Sequence, residues 1–178
     1  MIFPTIETKR MLLRELNKDD NEILFELFSN PMAMKYWDTP PHESIKTTTE
    51  ALVKMNKSFQ DKQGMSWGII SKKTNKLIGY FGLHSWNLSK SQSKLGYIIS
   101  PSNWGEGLGA EVLNSIVNFC FNEMHFESVL AEVDPNNQSS IVILEKNDFV
   151  LIEEKKKDLK INNNYYDTNI YECTNAIA

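Results

Sequence analysis

Three glycines at every second position, Gly105, Gly107 and Gly109, constrain the fold of this chain more than any other feature. They lie between an apolar run that ends at Ile99 and a helical apolar stripe that runs from Gly107 to Asn122. The sequence therefore predicts a strand, a glycine-rich turn and a helix in that order. Free N–H groups at such a helix start attract anions such as a pyrophosphate, although a tight turn that binds nothing has the same residues.

The same glycines formally satisfy a dinucleotide-binding fingerprint, Gly105-x-Gly107-x-x-Ala110. Two observations argue against a nicotinamide-binding fold. Five residues, 100–104, separate the strand from the first glycine, whereas a Rossmann turn is shorter. Only one further strand–helix unit follows the motif, which is too little for a doubly wound sheet.

The apolar periodicity of the whole chain predicts the order β-α-α-β-β-β-α-β-α-β-β. A first strand covers Ile6 to Glu15, a middle hairpin joins residues 67–70 to 77–83, and a closing hairpin joins 149–159 to 164–172. The predicted class is α+β, a mixed α/β fold with a central, mostly antiparallel twisted sheet of about seven strands. Helices cover both faces, and one βαβ crossover is parallel. No composition shift marks a second domain, so residues 1–178 are expected to form one.

Charge and cysteine content exclude several functions. The net charge of −4 argues against nucleic acid as a partner. Cys120 and Cys173 do not make a disulfide framework, and His42, His84 and His125 lack zinc-ligand spacing, so no metal is expected. Without a leader-like N-terminus or a long apolar run, a cytoplasmic protein with no membrane partner is expected. A monomer and a homodimer both remain open.

The glycine motif resembles that of the GNAT superfamily of N-acetyltransferases, in which (Gln/Arg)-x-x-Gly-x-(Gly/Ala) opens the central helix. Gly107 and Gly109 match it, and Trp104 replaces the Gln/Arg. The Trp-Gly-x-Gly form after Gly96-Tyr97 resembles the ribosomal-protein N-terminal (Rim-type) acetyltransferase branch. Further stretches that resemble this branch extend over nearly the whole chain: 6–14, 96–99, 133–140, 144–149, 165–167 and Tyr171.

The resemblance implies acetyl-CoA as co-substrate. It implies that the pantetheine arm pairs with the backbone of Ile98, Ile99 and Ser100. It implies that a continuous run of backbone amides holds the pyrophosphate: Trp104, Gly105, Glu106, Gly107, Leu108, Gly109 and Ala110. Asn137 is then expected to hydrogen-bond the pantetheine, and Ser140 to lie near the thiol.

Two departures from the family pattern leave the chemistry open. Many relatives protonate the leaving thiolate with a tyrosine at the position of Leu144, which has no proton to give. In the Rim-type branch a serine matching Ser140 is the candidate acid, so Ser140 and the adjacent cap residue Asn137 are the catalytic candidates. The alternative is a helix-start serine that only bonds backbone. Lys94 stands where relatives often carry a glutamate base.

By residue type alone, the candidate bases are Asp38, His84 and Glu111. An α-amine, with a pKa of about 8, loses its proton far more readily than a lysine near 10.4, so the lack of an evident base favours an α-amine acceptor. The expected walls of the acceptor pocket are the loop 37–40, Trp86 and the turn 165–166.

These features predict direct acetyl transfer from acetyl-CoA to a primary amine. The N-terminal α-amine of a ribosomal protein and a small-molecule amine are both candidate acceptors. The alternative function is a non-catalytic acyl-CoA-binding module.

Overall fold

In a computed structural model, residues 2–87 and 89–175 are described, and eight strands among them form one open sheet. The strands are β1 Ile6–Glu7, β2 Met11–Glu15, β3 Met65–Ser71, β4 Lys76–Asn87, β5 Gln92–Ile99, β6 Ser128–Val133, β7 Val150–Ile161 and β8 Asn164–Thr174. The helices are α1 Asn21–Phe28, α2 Ile45–Gln60, α3 Leu108–Asn122 and α4 Gln138–Glu145. Two short 3₁₀ turns occupy Lys18–Asp20 and Pro101–Asn103.

The strand order across the sheet is β1-β2-β3-β4-β5-β6-β8-β7. Every neighbouring pair is antiparallel except β5 and β6, which are parallel and are joined through α3. The predicted mixed fold with one parallel crossover is therefore confirmed. The expected first strand is instead two strands, because Thr8 turns the chain: its N–H donates to the Met11 carbonyl at 2.9 Å.

Side chains alternate across the sheet and build two cores, one on each face. Phe81 and Ile99 pack on the face that carries α3. Their neighbours Tyr80 and Ile98 pack on the opposite face with residues of α1. The stripe that α3 buries comprises Leu108, Gly109, Val112, Leu113, Ile116, Val117 and Cys120. The helical spacing of this stripe is what the sequence predicted.

The parallel strands at the centre of the sheet are hydrogen-bonded along only part of their length. Gln92–Leu95 of β5 pair with Ser128–Ala131 of β6. Beyond Leu95 the two strands diverge, and within the described chain no β6 residue pairs with Gly96–Ile99. We call this gap the β5–β6 opening.

The fold shows no sign of a transmembrane helix: no helix within residues 2–87 and 89–175 combines the length and apolar character that a bilayer crossing requires.

Both thiols are predicted to be inert in the native protein. Cys120 is 0% exposed and Cys173 is 5% exposed. Burial raises the pKa of Cys120 to about 12 and raises the pKa of Cys173 as well, so neither forms much thiolate at pH 8. An aromatic disulfide reagent, which releases a coloured thiolate when it reacts with a cysteine, should not react rapidly with the native protein. After unfolding in guanidinium it should react with both thiols. A thiol that reacts within seconds in native protein would contradict this arrangement.

Candidate functional site

The glycine-rich turn opens α3 with its backbone donors unoccupied. Gly105 and Gly107 have φ values of 80° and 73°, a left-handed region that glycine adopts without strain. Gly107 is the N-cap of α3, and no side chain caps this end. The first N–H groups of α3 therefore face outward as a site suited to an anion.

A network from the β1–β2 turn anchors this loop. The Arg10 guanidinium donates to the Glu106 carbonyl at 2.8 Å and to the Glu111 carboxylate at 2.6 Å. The Glu111 carboxylate also accepts from the Thr8 hydroxyl at 2.7 Å and from the Arg10 N–H at 2.9 Å. Desolvation would raise the pKa of Glu111, but these hydrogen bonds outweigh it and hold the pKa below its usual value. Glu111 thus anchors the loop, and it does not line the cavity described below.

Backbone direction decides which residues face the β5–β6 opening. The Ser100 N–H donates to the Ile78 carbonyl at 2.8 Å, and the Ile98 carbonyl lies 2.5 Å from where a Cβ on Gly79 would be. Both groups point toward β4. Because backbone groups alternate along a strand, Tyr97 and Ile99 point toward the opening.

The expected backbone contacts to the pantetheine are therefore corrected for Ile98 and Ser100, whose groups are directed toward β4. The backbone contact expected at Ile99 remains a prediction. We expect Tyr97 to contribute as well, because its backbone points the same way. The Trp104 indole N–H donates to the Ile99 carbonyl at 2.7 Å, so the residue that replaces the family's Gln/Arg fastens the loop to β5.

The start of α4 lies across the crossover from this loop. Asn137 is the N-cap, and its side-chain oxygen accepts from the Ser140 N–H at 3.2 Å. Ser140 is half-buried, and its hydroxyl is not hydrogen-bonded to any described residue. Leu144 is 1% exposed and belongs to the core. The hydroxyl that α4 offers to a ligand in the opening is therefore that of Ser140, because position 144 is a buried leucine.

A cavity of about 390 Å³ lies where the opening meets the α1–α2 connection and the β7–β8 turn. Trp37 closes one side, and its ring lies 3.2 Å from where a Cβ on Gly96 would be. The expected walls 37–40 and Tyr166 line the cavity. Tyr165 and Trp86 do not line it, and Trp86 packs instead against Phe126 in the core at 6.1 Å between ring centroids.

The cavity lining carries an excess of negative charge. Its carboxylates are Asp38, Glu132, Asp134, Asp158 and Asp167, and its ammonium groups are Lys35 and Lys94. Three of these carboxylates are ion-paired: Glu132 with Lys94 at 2.5 Å, Asp167 with Lys156 at 3.0 Å and Asp158 with Lys155 at 3.9 Å. Asp38 and Asp134 make no ion pair with any residue in 2–87 or 89–175. Such a lining favours a cationic occupant.

His84 is the one imidazole among the residues that line the cavity. The side chain is partly open to solvent; partial desolvation lowers its pKa, Asp38 and Glu132 oppose this, and Lys94 reinforces it. The ring is therefore largely neutral at pH 7 and is able to accept a proton. Of the three candidate bases, His84 and Asp38 both line the cavity, whereas Glu111 lies outside it and binds Arg10.

Sequence reasoning missed Glu132 and Arg10. Glu132 faces the cavity because side chains alternate along β6 and the preceding Ala131 is buried. A charged residue within an otherwise apolar strand was the sequence feature that could have identified it. The role of Arg10 depends on Glu111, about a hundred residues away, and no local pattern indicates such a pairing.

Comparison with known proteins places these features in context. A family model described as an acetyltransferase (GNAT) domain matches residues 10–150. The chain is 31% identical over 170 residues to the uncharacterized N-acetyltransferase YoaA of Bacillus subtilis (strain 168), with 96% of each protein covered.

Two solved structures share the fold. One is a spermidine N-acetyltransferase from Vibrio cholerae in complex with CoA and spermine, 22% identical, with a TM-score of 0.82 over 93% of this chain and 95% of that one. The other is RimL, a ribosomal L7/L12 alpha-N-protein acetyltransferase in complex with coenzyme A. It is 18% identical, with a TM-score of 0.87 over 96% of this chain and 98% of that one.

Removal of the Glu111 charge is expected to loosen the anchor of the glycine loop. Glu111→Gln weakens the charge-assisted hydrogen bonds from Thr8 and Arg10 and should lower the free energy of unfolding by about 1–2 kcal/mol, allowing for the exposure of Arg10. Because the pKa of Glu111 is lowered on folding, its contribution is present above the ordinary value of 4.5 and is lost as the pH falls through the folded-state pKa.

Urea unfolding at pH 7 and in acid measures both effects. The matched control is Glu123→Gln, at the exposed C-terminal end of the same helix, which should change stability by less than about 0.5 kcal/mol. Equal stability of the two variants at pH 7 would show that the network does not anchor the loop.

Proposed function

The chain belongs to the GNAT acetyltransferase family, and we propose that it transfers an acetyl group from acetyl-CoA directly to a primary amine of a cationic acceptor. The observation that carries this proposal is the β5–β6 opening. It connects the uncapped N-terminus of α3 on one side with the acidic cavity on the other. One site suits an anionic cofactor and the other suits a cationic amine.

The residues of the glycine loop fit the pyrophosphate of acetyl-CoA. The expectation is corrected at Trp104, whose N–H already donates to the Pro101 carbonyl at 3.2 Å. We expect the amides of the run 105–110 to hold the phosphates, since Gly105 leaves open space where a side chain would project. The backbone of Tyr97 and the N–H of Ile99, which have no strand partner on this side, fit the pantetheine arm as an added strand would. The side-chain amide of Asn137 is the further pantetheine contact that we propose, because its carbonyl oxygen already caps α4.

The acidic cavity supports an acceptor that carries positive charge besides its reactive amine. A polyamine meets this description, and the fold is shared with a Vibrio cholerae protein whose structure contains spermine. The shared fold with RimL supports the alternative, a protein N-terminal α-amine and the Rim-type branch. The excess of carboxylates around the cavity favours the polyamine-like cation over the protein terminus.

The proposed chemistry places a proton acceptor on the cavity side of the opening and a hydrogen-bond donor on the α4 side. Neutral His84 takes a proton from the acceptor nitrogen, which attacks the thioester carbon. A backbone N–H of Tyr97 or Ile99 stabilises the oxyanion, as donors aimed at developing charge do. As the C–S bond breaks, the electron pair stays on sulfur, and the Ser140 hydroxyl is the donor that we place beside it. His84 supplies a base that residue order alone did not single out, so the missing glutamate at Lys94 no longer favours an α-amine.

Thiol release from acetyl-CoA tests the function directly. We expect turnover with spermidine that exceeds turnover with an alanine-terminated peptide or with water. CoA should raise the melting temperature by binding the folded state alone, and NADH should not. Gly107→Val should abolish the CoA-induced shift, because its side chain obstructs the loop and its φ of 73° disfavours a branched residue. CoA binding without turnover on any amine would instead support a non-catalytic binding module.

His84→Gln separates catalysis from binding. The substitution removes the proposed base and should lower kcat by about 10²-fold with little change in the KM for acetyl-CoA. Because desolvation lowers the pKa of His84, the acid limb of the wild-type kcat profile should lie below pH 6.5. His125→Gln is the control, since His125 is exposed and lies outside the cavity lining. A wild-type kcat for His84→Gln at every pH would remove His84 as the base.

A further inference from the structure

Tyr97 holds its ring rigidly at the edge of the β5–β6 opening. The ring stacks on Phe81 with a centroid distance of 5.7 Å and an interplanar angle of 6°. Its Cε2 atom lies 3.5 Å from where a Cβ on Gly109 would be, so the ring also packs against the first turn of α3. The phenol is therefore fixed between the sheet and the helix that begins the anion site.

The hydroxyl of Tyr97 is buried without a hydrogen-bond partner among the described residues. A buried polar atom left unsatisfied costs about 1–3 kcal/mol, so such an atom needs an explanation. The polar side chain that influences it is Ser140: burial raises the pKa of Tyr97, and the approach of the Ser140 hydroxyl lowers it. Geometry also places α4 beside the ring, because Ile143 Cδ1 and Tyr97 Cε2 lie 3.3 Å and 3.5 Å from where a Cβ on Gly109 would be, and Ser140 is one turn before Ile143. The Ser140 hydroxyl is therefore the neighbouring group that the phenol is suited to pair with, although the two do not complete a hydrogen bond here.

Ser140 is able to accept such a bond and still serve a ligand. Its backbone N–H is already bonded to Asn137, while its hydroxyl is uncommitted among the described residues. A serine hydroxyl has one proton to donate and lone pairs to accept with. If the phenol donates to the serine oxygen, the serine proton is free to turn toward another acceptor.

Resting on the proposed function, we propose that Tyr97 is a positioning residue whose phenol donates to the Ser140 oxygen and turns the Ser140 proton toward the sulfur of CoA. The hydrogen bond then strengthens as negative charge develops on the departing sulfur.

The proton balance needs no ionisation of either hydroxyl. The C–N bond forms, the C–S bond breaks, and the electron pair remains on sulfur. The acceptor nitrogen gives its proton to His84, and the thiolate takes a proton from solvent once CoA departs. Because burial raises the pKa of Tyr97, its phenol stays protonated and remains a donor throughout the neutral range.

The test reads the pKa of the CoA thiol bound to the full-length protein, through the ultraviolet absorbance of the thiolate. This measurement needs no acceptor amine. A donor aimed at sulfur lowers the thiol pKa, so Ser140→Ala should raise it by about one unit, the value of one charge-assisted hydrogen bond. Tyr97→Phe, which keeps the stacked ring, should raise it in the same direction by a smaller amount. The double variant should match Ser140→Ala alone.

Tyr80→Phe is the matched control. Its phenol is buried in the same sheet, donates to or accepts from Ser66 at 3.2 Å, and packs on the opposite face. It should leave the thiol pKa unchanged. With an active amine in hand, Tyr97→Phe should also lower kcat by about threefold to tenfold while the KM for acetyl-CoA is unchanged.

The outcomes separate this inference from the proposed function. CoA binding with an unchanged thiol pKa in Tyr97→Phe overturns the positioning role and leaves acetyl transfer standing. An effect of Tyr97→Phe that persists in the Ser140→Ala background also overturns it, because Tyr97 would then act without Ser140. Failure of the wild-type protein to bind CoA contradicts the proposed function itself, and the inference with it.

Discussion

The divergence of two parallel strands is the constraint on which the rest of this structure depends. β5 and β6 pair through Leu95 and Ala131 and then separate, which leaves backbone groups of Tyr97 and Ile99 without a strand partner. Unpaired backbone donors and acceptors inside a protein are costly unless something satisfies them. The molecule meets this cost partly by itself, since the Trp104 indole takes the Ile99 carbonyl. The remaining groups are the ones that an extended ligand arm is suited to pair with.

The opening is useful only if the elements on both sides of it stay fixed. On the α3 side, Arg10 joins the Glu106 carbonyl to the Glu111 carboxylate, so the first residues of the sheet set the position of the glycine loop. On the cavity side, Trp37 lies against Gly96, where any larger residue would displace it. Both supports come from segments remote in sequence, and both act through contacts of a few atoms.

The sequence predicted what is local and missed what is long-range. The bounds of β6 and the start of α3 follow from apolar periodicity and from glycines that adopt positive φ, so they were predictable from a few neighbouring residues. The direction in which Ile98 and Tyr97 point their backbone depends on strand register with β4. The burial of Trp86 depends on Phe126. No spacing rule within one segment contains that information, and the candidate base was therefore left as three residue types until the fold brought His84 to the cavity.

The charges around the cavity present a conflict between holding a cation and making it react. Carboxylates that attract an ammonium group also favour its protonated form, and a protonated amine cannot attack a thioester. The structure reduces this conflict at one carboxylate. Lys94 is the register partner of His84 and pairs with Glu132, so one of the two carboxylates that raise the pKa of the proposed base is neutralised. Asp38, the stronger of the two, makes no ion pair with any described residue, so it is left to hold an ammonium group. Under the proposed function, Lys94 therefore limits the negative charge beside the reacting amine, while Asp38 and Asp134 hold the charged remainder of the acceptor.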